Sequence, residues 1–158
     1  MIRAMELSDI EAMVRLAIEA DMFPEEASDF LRSNAQRWFD EDRQPGRWVV
    51  VARDQQVDAV AFYEPRDATD RVWYLTMIVV SPSLQGTGVG RRLLNHVEHA
   101  LREADQRLLL IETSGTPAYE SSRAFYARGG YREVARVPDY FADGDDMVLF
   151  HKDLRAAP

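Results

Sequence analysis

Hydrophobic residues recur along the chain with two spacings, one typical of strands and one typical of helices. The first helical stripe follows Ser8, which with Glu11 has capping-box spacing. Its apolar positions are Ile10, Met13, Val14, Ala17 and Ile18. Strands are predicted over 2–5, 47–53, 57–63, 73–80, 108–113, 131–137 and 147–152, with a turn at 54–56, and further helices over 25–39, 88–104 and 118–128. Because strands and helices intermingle, the pattern predicts a mixed α/β fold in one domain, residues 1–158.

The run 73–80 and the residues that follow it carry the clearest functional signal. The run shows no alternation of polar residues, which predicts a central strand buried on both faces. Gly86, Gly88 and Gly90 follow, and then a helical stripe begins. The first N–H groups of a helix have no partner inside it, and the helix dipole makes that end positive. The order of strand, glycine turn and helix therefore predicts a site for a phosphorylated ligand.

Three known phosphate-binding loops have glycine patterns that this segment could match. The nucleoside-triphosphate loop requires a lysine after its glycines, and none is present. The dinucleotide loop requires Gly-x-Gly-x-x-Gly with an acid after the next strand, whereas Asp105 lies at a helix end. The third pattern, Gln/Arg-x-x-Gly-x-Gly/Ala, is matched by Gln85, Gly88 and Gly90. A tight turn that binds nothing is the remaining alternative.

This third pattern resembles the pyrophosphate-binding segment of the GNAT superfamily of N-acetyltransferases. A second segment, 119–131, is similar to the GNAT sequence Asn-x-x-Ala-x-x-x-Tyr-x-x-x-Gly-Phe, with matches at Tyr126, Gly130 and Tyr131. Tyr119 stands where that sequence has asparagine. The C-terminal residues 138–154 also resemble the end of a GNAT subgroup, so the likeness extends over nearly the whole chain.

The resemblance implies a mostly antiparallel central sheet with flanking helices and two splayed central strands, around Ile78 and Ile111. It also implies acetyl-coenzyme A as the co-substrate. The backbone of Ile78 and Val80 would pair with the pantetheine arm. The remaining residues that the resemblance places at this co-substrate are Gln85, Gly86, Thr87, Gly88, Val89, Gly90, Arg91 and Tyr119.

Acetyl transfer to an amine requires one group that accepts the amine proton and another that protonates the leaving thiolate. By resemblance Tyr126 is the predicted acid, with a packing role as the alternative. Many GNAT enzymes carry an acidic base on the strand before the glycine turn, where this chain has Thr76 and Met77. Glu112 on the next predicted strand is therefore the predicted base, acting directly or through water. A loop-anchoring role for Glu112, with solvent as proton acceptor, is the alternative.

Composition and net charge limit the classes of partner that the chain is expected to bind. The chain has 158 residues with a formal net charge of −8, which disfavours nucleic acid and favours a cationic amine of a small molecule or peptide. Acidic residues at 139, 143, 145 and 146 predict a solvated loop, which as an alternative forms a rim that attracts cations. Cysteine is absent, and His96 and His99 lie off the helical stripe, so no metal is expected.

The other expectations concern location and assembly. No apolar run reaches the length of a bilayer span and no secretory leader is visible, so a cytoplasmic protein without a membrane partner is expected. Whether the protein forms a homodimer is left open.

Two functions from different classes fit these observations. The first is an N-acetyltransferase that moves the acetyl group of acetyl-coenzyme A to a primary amine by direct attack. The second is a non-catalytic GNAT-fold module that binds or senses an acyl-coenzyme A. The match at Gln85, Gly88, Gly90 and Tyr126 favours the enzyme, and release of coenzyme A with candidate amines would separate the two.

Overall fold

The computed structural model of the protein describes residues 1–41, 46–53 and 56–155. Most of the turn predicted at 54–56 therefore lies outside the described residues. The described residues form four α-helices and seven strands. The α-helices are α1 Ile10–Glu19, α2 Ser28–Asp40, α3 Val89–Glu103 and α4 Glu120–Arg128. The strands are β1 Ile2–Ala4, β2 Arg47–Arg53, β3 Gln56–Pro65, β4 Val72–Val80, β5 Leu108–Ser114, β6 Arg132–Ala142 and β7 Asp145–Asp153.

The seven strands form one sheet in the order β1-β2-β3-β4-β5-β7-β6. β2 is antiparallel to β1 and β3, and β7 is antiparallel to β5 and β6. β4 and β5 are parallel, and they pair only from Val72 opposite Leu108 to Tyr74 opposite Leu110. A mostly antiparallel sheet with one short parallel pairing at its centre confirms the predicted mixed α/β class with splayed central strands.

The described chain divides into two compact units. The first contains Met1–Glu64 with Met77–Val97, and the second contains Pro65–Thr76 with Glu98–Pro158. A single domain therefore stays a prediction. In the first unit the apolar face of α1 packs with α2 and the sheet, as the helical stripe predicts. The core residues are Met13, Val14, Ala17, Leu31, Ala35, Val50, Val60, Met77 and Val79.

The second unit is built on β5, β6 and β7. One face of the β5–β7 pair is fully buried, with Leu109, Ile111, Val148 and Phe150 accessible to no more than 4%. Tyr126 of α4 packs on this face through its ring contact with Phe150. None of the helices in the described residues is long and apolar enough to cross a membrane.

The structure corrects the prediction that β4 is buried on both faces. Leu75, Met77 and Val79 are buried, whereas Thr76 is exposed and Ile78 and its neighbours on the same face are partly exposed. The sequence does not reveal this alternation of buried and accessible positions, because the accessible face carries Tyr74, Ile78 and Val80 rather than charged residues. β4 therefore has one core face and one accessible face.

The predicted acidic loop is also wrong, because β6 and β7 extend into a β-hairpin. The Gly144 amide, at φ +78°, donates to Asp139 Oδ1 at 2.7 Å, and the Asp139 amide donates to Asp146 Oδ1 at 3.1 Å. These two carboxylates satisfy backbone donors of the hairpin. Pro138 is compatible with this hairpin, because β6 is an edge strand.

The predicted cap at Ser8 is wrong as well. The capping box forms two residues earlier between Glu6 and Asp9, and the Glu6 amide donates to Asp9 Oδ2 at 2.8 Å. The buried Asp9 carboxylate accepts hydrogen bonds from the two terminal guanidinium nitrogens of Arg3, at 2.6 and 2.9 Å. The hydrogen bond from Arg3 is the main reason why the pKa of Asp9 is lowered.

Candidate active site

The glycine loop, residues 81–90, connects β4 to α3. It begins with a single 3-10 turn, Pro82–Leu84, and then becomes extended at Gln85. Gly86 and Gly88 have φ of +76° and +88°, which side chains other than glycine rarely adopt. A Cβ built on either residue meets no atom within 4 Å. The backbone of both glycines is therefore accessible to a ligand.

The amides of the loop are available for an anion. The first backbone hydrogen bond of α3 runs from the Arg92 amide to the Gly88 carbonyl, at 3.0 Å. Across the described residues, the amides of Gly86, Gly88, Val89 and Gly90 have no protein acceptor. These donors lie at the positive end of a 15-residue helix, which is the arrangement that binds phosphate. The residues present therefore fit the pyrophosphate of coenzyme A.

Side chains of the loop hold its own shape. The Gln85 side-chain amide donates to the Val80 carbonyl at 3.3 Å, and the Thr87 hydroxyl donates to the Leu84 carbonyl at 2.6 Å. The Ser81 amide donates to the carbonyl of Asp58 on β3 at 2.9 Å. Gln85 and Thr87 thus lie in the predicted place, but the structure gives their side chains a role in loop geometry.

The other predicted co-substrate residues divide between the two compact units. Ile78 and Val80 lie on the accessible face of β4, and Arg91 lies in the first turn of α3. Tyr119 belongs to the second unit, in the short turn Pro117–Tyr119 that leads into α4, and is exposed to 38%. The structure therefore assembles the loop residues in one unit.

Tyr126 lies in the last part of α4 with its ring enclosed by other aromatic rings. Ring centroids of Phe125, Phe150 and Tyr131 lie at 5.3, 5.9 and 6.1 Å. The hydroxyl of Tyr126 makes no hydrogen bond within the described part of the chain. Burial raises the pKa of Tyr126 to about 12. The phenol is consequently a protonated donor at neutral pH.

Glu112 lies near the end of β5 and is exposed. It is paired with Leu149 of β7, while its neighbour Ile111 is paired with Phe150. Because side chains alternate along a strand, Glu112 and Tyr126 lie on opposite faces of the β5–β7 pair. The Tyr74 side chain lies close enough to interact electrostatically with the Glu112 carboxylate.

The sequence analysis overlooked a buried ionic cluster around Glu98 of α3, which is 2% exposed. Its carboxylate accepts from Lys152 Nζ at 2.7 Å, from the Tyr131 hydroxyl at 3.0 Å and from Arg102 at 3.2 Å. Lys152 also donates to the Gly129 carbonyl at 2.8 Å, and the Tyr131 amide donates to the Tyr126 carbonyl. The cluster thus fixes the C-terminal end of α4. A glutamate inside the apolar stripe of α3 was the available signal.

Comparisons with known proteins bear on the family and the fold of this chain. Residues 10–131 match the model of the acetyltransferase (GNAT) family. An uncharacterized N-acetyltransferase of Methanocaldococcus jannaschii is 29% identical over 82 residues, which span 50% of this chain and 50% of that protein. The match therefore extends over about half the length of that curated relative.

Solved structures show the same fold. A GNAT-family protein from Desulfovibrio desulfuricans is 28% identical with a TM-score of 0.92, covering 98% of both chains. The ribosomal-protein-S18-alanine N-acetyltransferase of Escherichia coli is 20% identical with a TM-score of 0.80, covering 100% of this chain and 96% of that one. An aminoglycoside 6'-N-acetyltransferase complexed with coenzyme A is 17% identical with a TM-score of 0.81, covering 100% and 99%. From the match of the family model, this chain belongs to the GNAT acetyltransferase family.

Proposed function

We propose that the protein is an N-acetyltransferase that uses acetyl-coenzyme A and transfers the acetyl group to a primary amine by direct attack. The observation that supports catalysis most strongly is the Tyr126 hydroxyl, which is protonated and has no partner within the described residues. A leaving thiolate needs such a donor, whereas binding alone does not.

The glycine loop is the proposed site of the diphosphate. Amides of Gly86, Gly88, Val89 and Gly90 would receive its oxygens, with Arg91 and the neighbouring Arg92 adding positive charge. The backbone of Ile78 and Val80 would pair with the pantetheine arm, and Tyr119 would contact the same co-substrate. Acetyl-coenzyme A supplies the thioester whose acetyl group is transferred.

Two proton transfers then remain for the protein. The amine proton goes to Glu112, directly or through water, while a new C–N bond forms and the C–S bond breaks. The Tyr126 hydroxyl donates its proton to the departing thiolate. The base acts on the attacking amine and the acid acts on the departing sulfur, so the reaction uses two separate groups.

The proposed acceptor is a cationic amine of a small molecule or peptide. The net charge of −8 favours a cation over an acidic metabolite. Two structural neighbours, by their names, acetylate an aminoglycoside and an alanine of a ribosomal protein, and both acceptors are amines. The proposal therefore extends to both small molecules and peptide amino termini.

A panel of amines tests this proposal. Coenzyme A release would be followed with acetyl-coenzyme A and aminoglycosides, polyamines or peptides, and the same compounds after acetylation serve as matched controls. We expect at least one free amine to raise release above hydrolysis, and its acetylated form to have no effect. Binding of acetyl-coenzyme A without release for any amine would favour the non-catalytic module.

Replacement of Gly88 by aspartate tests the glycine loop. The substitution adds a side chain at φ +88° and a negative charge next to the proposed diphosphate. We expect acetyl-coenzyme A affinity to fall at least about tenfold, or ~1.4 kcal/mol, by titration calorimetry. Gly144→Asp is the matched control, because Gly144 has φ +78° and also open surroundings, and it should bind normally. Equal affinity for Gly88→Asp and wild type would contradict the assignment.

Replacement of Glu112 by glutamine tests the proposed base. The substitution keeps the shape of the side chain and removes its basicity. We expect the acidic limb of the pH–rate profile to shift or disappear and higher pH to restore part of the activity, because more of the amine is then unprotonated. Glu103→Gln, an exposed glutamate at the end of α3, should keep the wild-type profile. A wild-type profile in Glu112→Gln would exclude Glu112 and leave water as the proton acceptor.

A further inference from the structure

The strand register brings a second side chain to the proposed base. Tyr74 of β4 is paired with Leu110 of β5, and paired residues in a sheet point to the same face. Glu112 follows Leu110 by two residues and therefore shares that face. Tyr74 and Glu112 are thus diagonal cross-strand neighbours, a distance that long side chains bridge.

The two side chains interact electrostatically. The half-buried Tyr74 hydroxyl lies close to the exposed carboxylate of Glu112. Partial burial is the main reason why the pKa of Tyr74 is raised, and the negative charge of Glu112 is the next. Tyr74 therefore stays protonated, and remains a donor, over the working range of an enzyme.

Other ionisable groups surround this pair. The guanidinium of Arg66 lies 5.8 Å from the centre of the Tyr74 ring, and Tyr140 of β6 is close enough to influence the Tyr74 hydroxyl. From β7, His151 shares the face of Glu112, because it is paired with Leu110. Leu149, directly opposite Glu112, is apolar.

We propose that Tyr74 is a positioning residue for Glu112: its hydroxyl binds one side of the carboxylate, orients the group and leaves the remaining lone pairs for the amine proton. This inference rests on the proposed function of Glu112 as the base. A flexible, exposed glutamate loses several side-chain rotations when it is held in this way. A neutral donor also favours the charged form of the carboxylate, which is the form that accepts a proton.

A double-mutant cycle tests the inference. Tyr74→Phe keeps the ring and removes the hydroxyl, and we expect kcat to fall about tenfold, with an unchanged KM for acetyl-coenzyme A and an acidic limb displaced to higher pH. The double variant Tyr74→Phe with Glu112→Gln should be no slower than Glu112→Gln alone, because Tyr74 acts through Glu112. Tyr140→Phe is the matched control on this face and should leave the acidic limb in place.

A second readout is independent of activity. The ultraviolet titration of tyrosine should show the Tyr74 transition, identified by its loss in Tyr74→Phe, moving to lower pH in Glu112→Gln. Multiplicative losses of activity in the double variant, or an unmoved Tyr74 transition, would overturn the inference while leaving acetyl transfer intact. Loss of the proposed function itself would appear differently, as a wild-type protein that releases no coenzyme A with any amine.

Discussion

Replacing Tyr126 with phenylalanine is expected to lower kcat by about 10²- to 10⁴-fold, or roughly 3–5 kcal/mol of barrier. The ring would keep its contacts with Phe125, Tyr131 and Phe150. Only the hydroxyl is lost, and with it the proposed donor to the leaving thiolate. Acetyl-coenzyme A affinity should hardly change, so calorimetry and steady-state kinetics together separate chemistry from binding.

The same variant should be as stable as wild type, because the Tyr126 hydroxyl makes no hydrogen bond in the described chain that could be lost. Tyr131→Phe is the matched comparison, since the Tyr131 hydroxyl donates to Glu98 at 3.0 Å. That variant should lose about 1.5 kcal/mol of unfolding free energy and keep kcat within a few-fold. Unchanged turnover in Tyr126→Phe, with chemistry shown to be rate-limiting, would assign Tyr126 to packing.

The pH dependence of Tyr126 has a defined direction. Its pKa is raised to about 12 in the folded protein, against about 10 in an unfolded chain. The Tyr126 phenol is therefore neutral in the folded protein below about pH 10. Its contribution to the free energy of unfolding is lost as pH rises toward 12. Any loss of activity between neutral pH and about pH 10 must come from another group.

Replacing Glu98 with alanine is expected to lower the free energy of unfolding by about 3 kcal/mol. The buried carboxylate accepts from Lys152, Tyr131 and Arg102, and its removal leaves the Tyr131 hydroxyl buried without an acceptor. Lys152 and Arg102 are exposed to 21% and 27%, so water offsets part of their loss. Urea denaturation followed by fluorescence measures the change.

Glu103→Ala is the matched control for Glu98→Ala. Glu103 lies on the same helix, is 69% exposed and, among the described residues, lies 3.4 Å from the exposed His99. Its removal should leave the denaturation midpoint nearly unchanged, because exposed ion pairs contribute little. A Glu98→Ala protein as stable as Glu103→Ala would show that the cluster does not fix the end of α4.

Sequence patterns predicted helices and strands well where a single apolar face of the element packs on the core. The stripe of α1, the strand pattern of β5 and the start of α3 after Gly88 were all found within a few residues. The glycine loop was also predictable, because positive φ at Gly86 and Gly88 requires a residue type that is visible in the sequence.

The errors have a common physical origin, since each depends on contacts between distant segments. The accessible face of β4 carries Tyr74, Ile78 and Val80, so composition alone suggested burial. The β6–β7 hairpin is stabilised by bonds of Asp139 and Asp146 to backbone amides, whereas the local pattern assigned both residues to a loop. The contact of Tyr74 with Glu112 depends on strand register, which no local pattern specifies.

The central claim is that this chain moves an acetyl group from acetyl-coenzyme A to an amine, and product stoichiometry tests it most directly. Wild-type protein would be incubated with acetyl-coenzyme A labelled in its acetyl group and with the best amine of the panel. Mass spectrometry would then quantify the acetylated amine and the free coenzyme A. The account predicts equal amounts of the two products, both strongly reduced in Tyr126→Phe. Free coenzyme A without labelled amine, or bound acetyl-coenzyme A that persists in the presence of every amine, would contradict it.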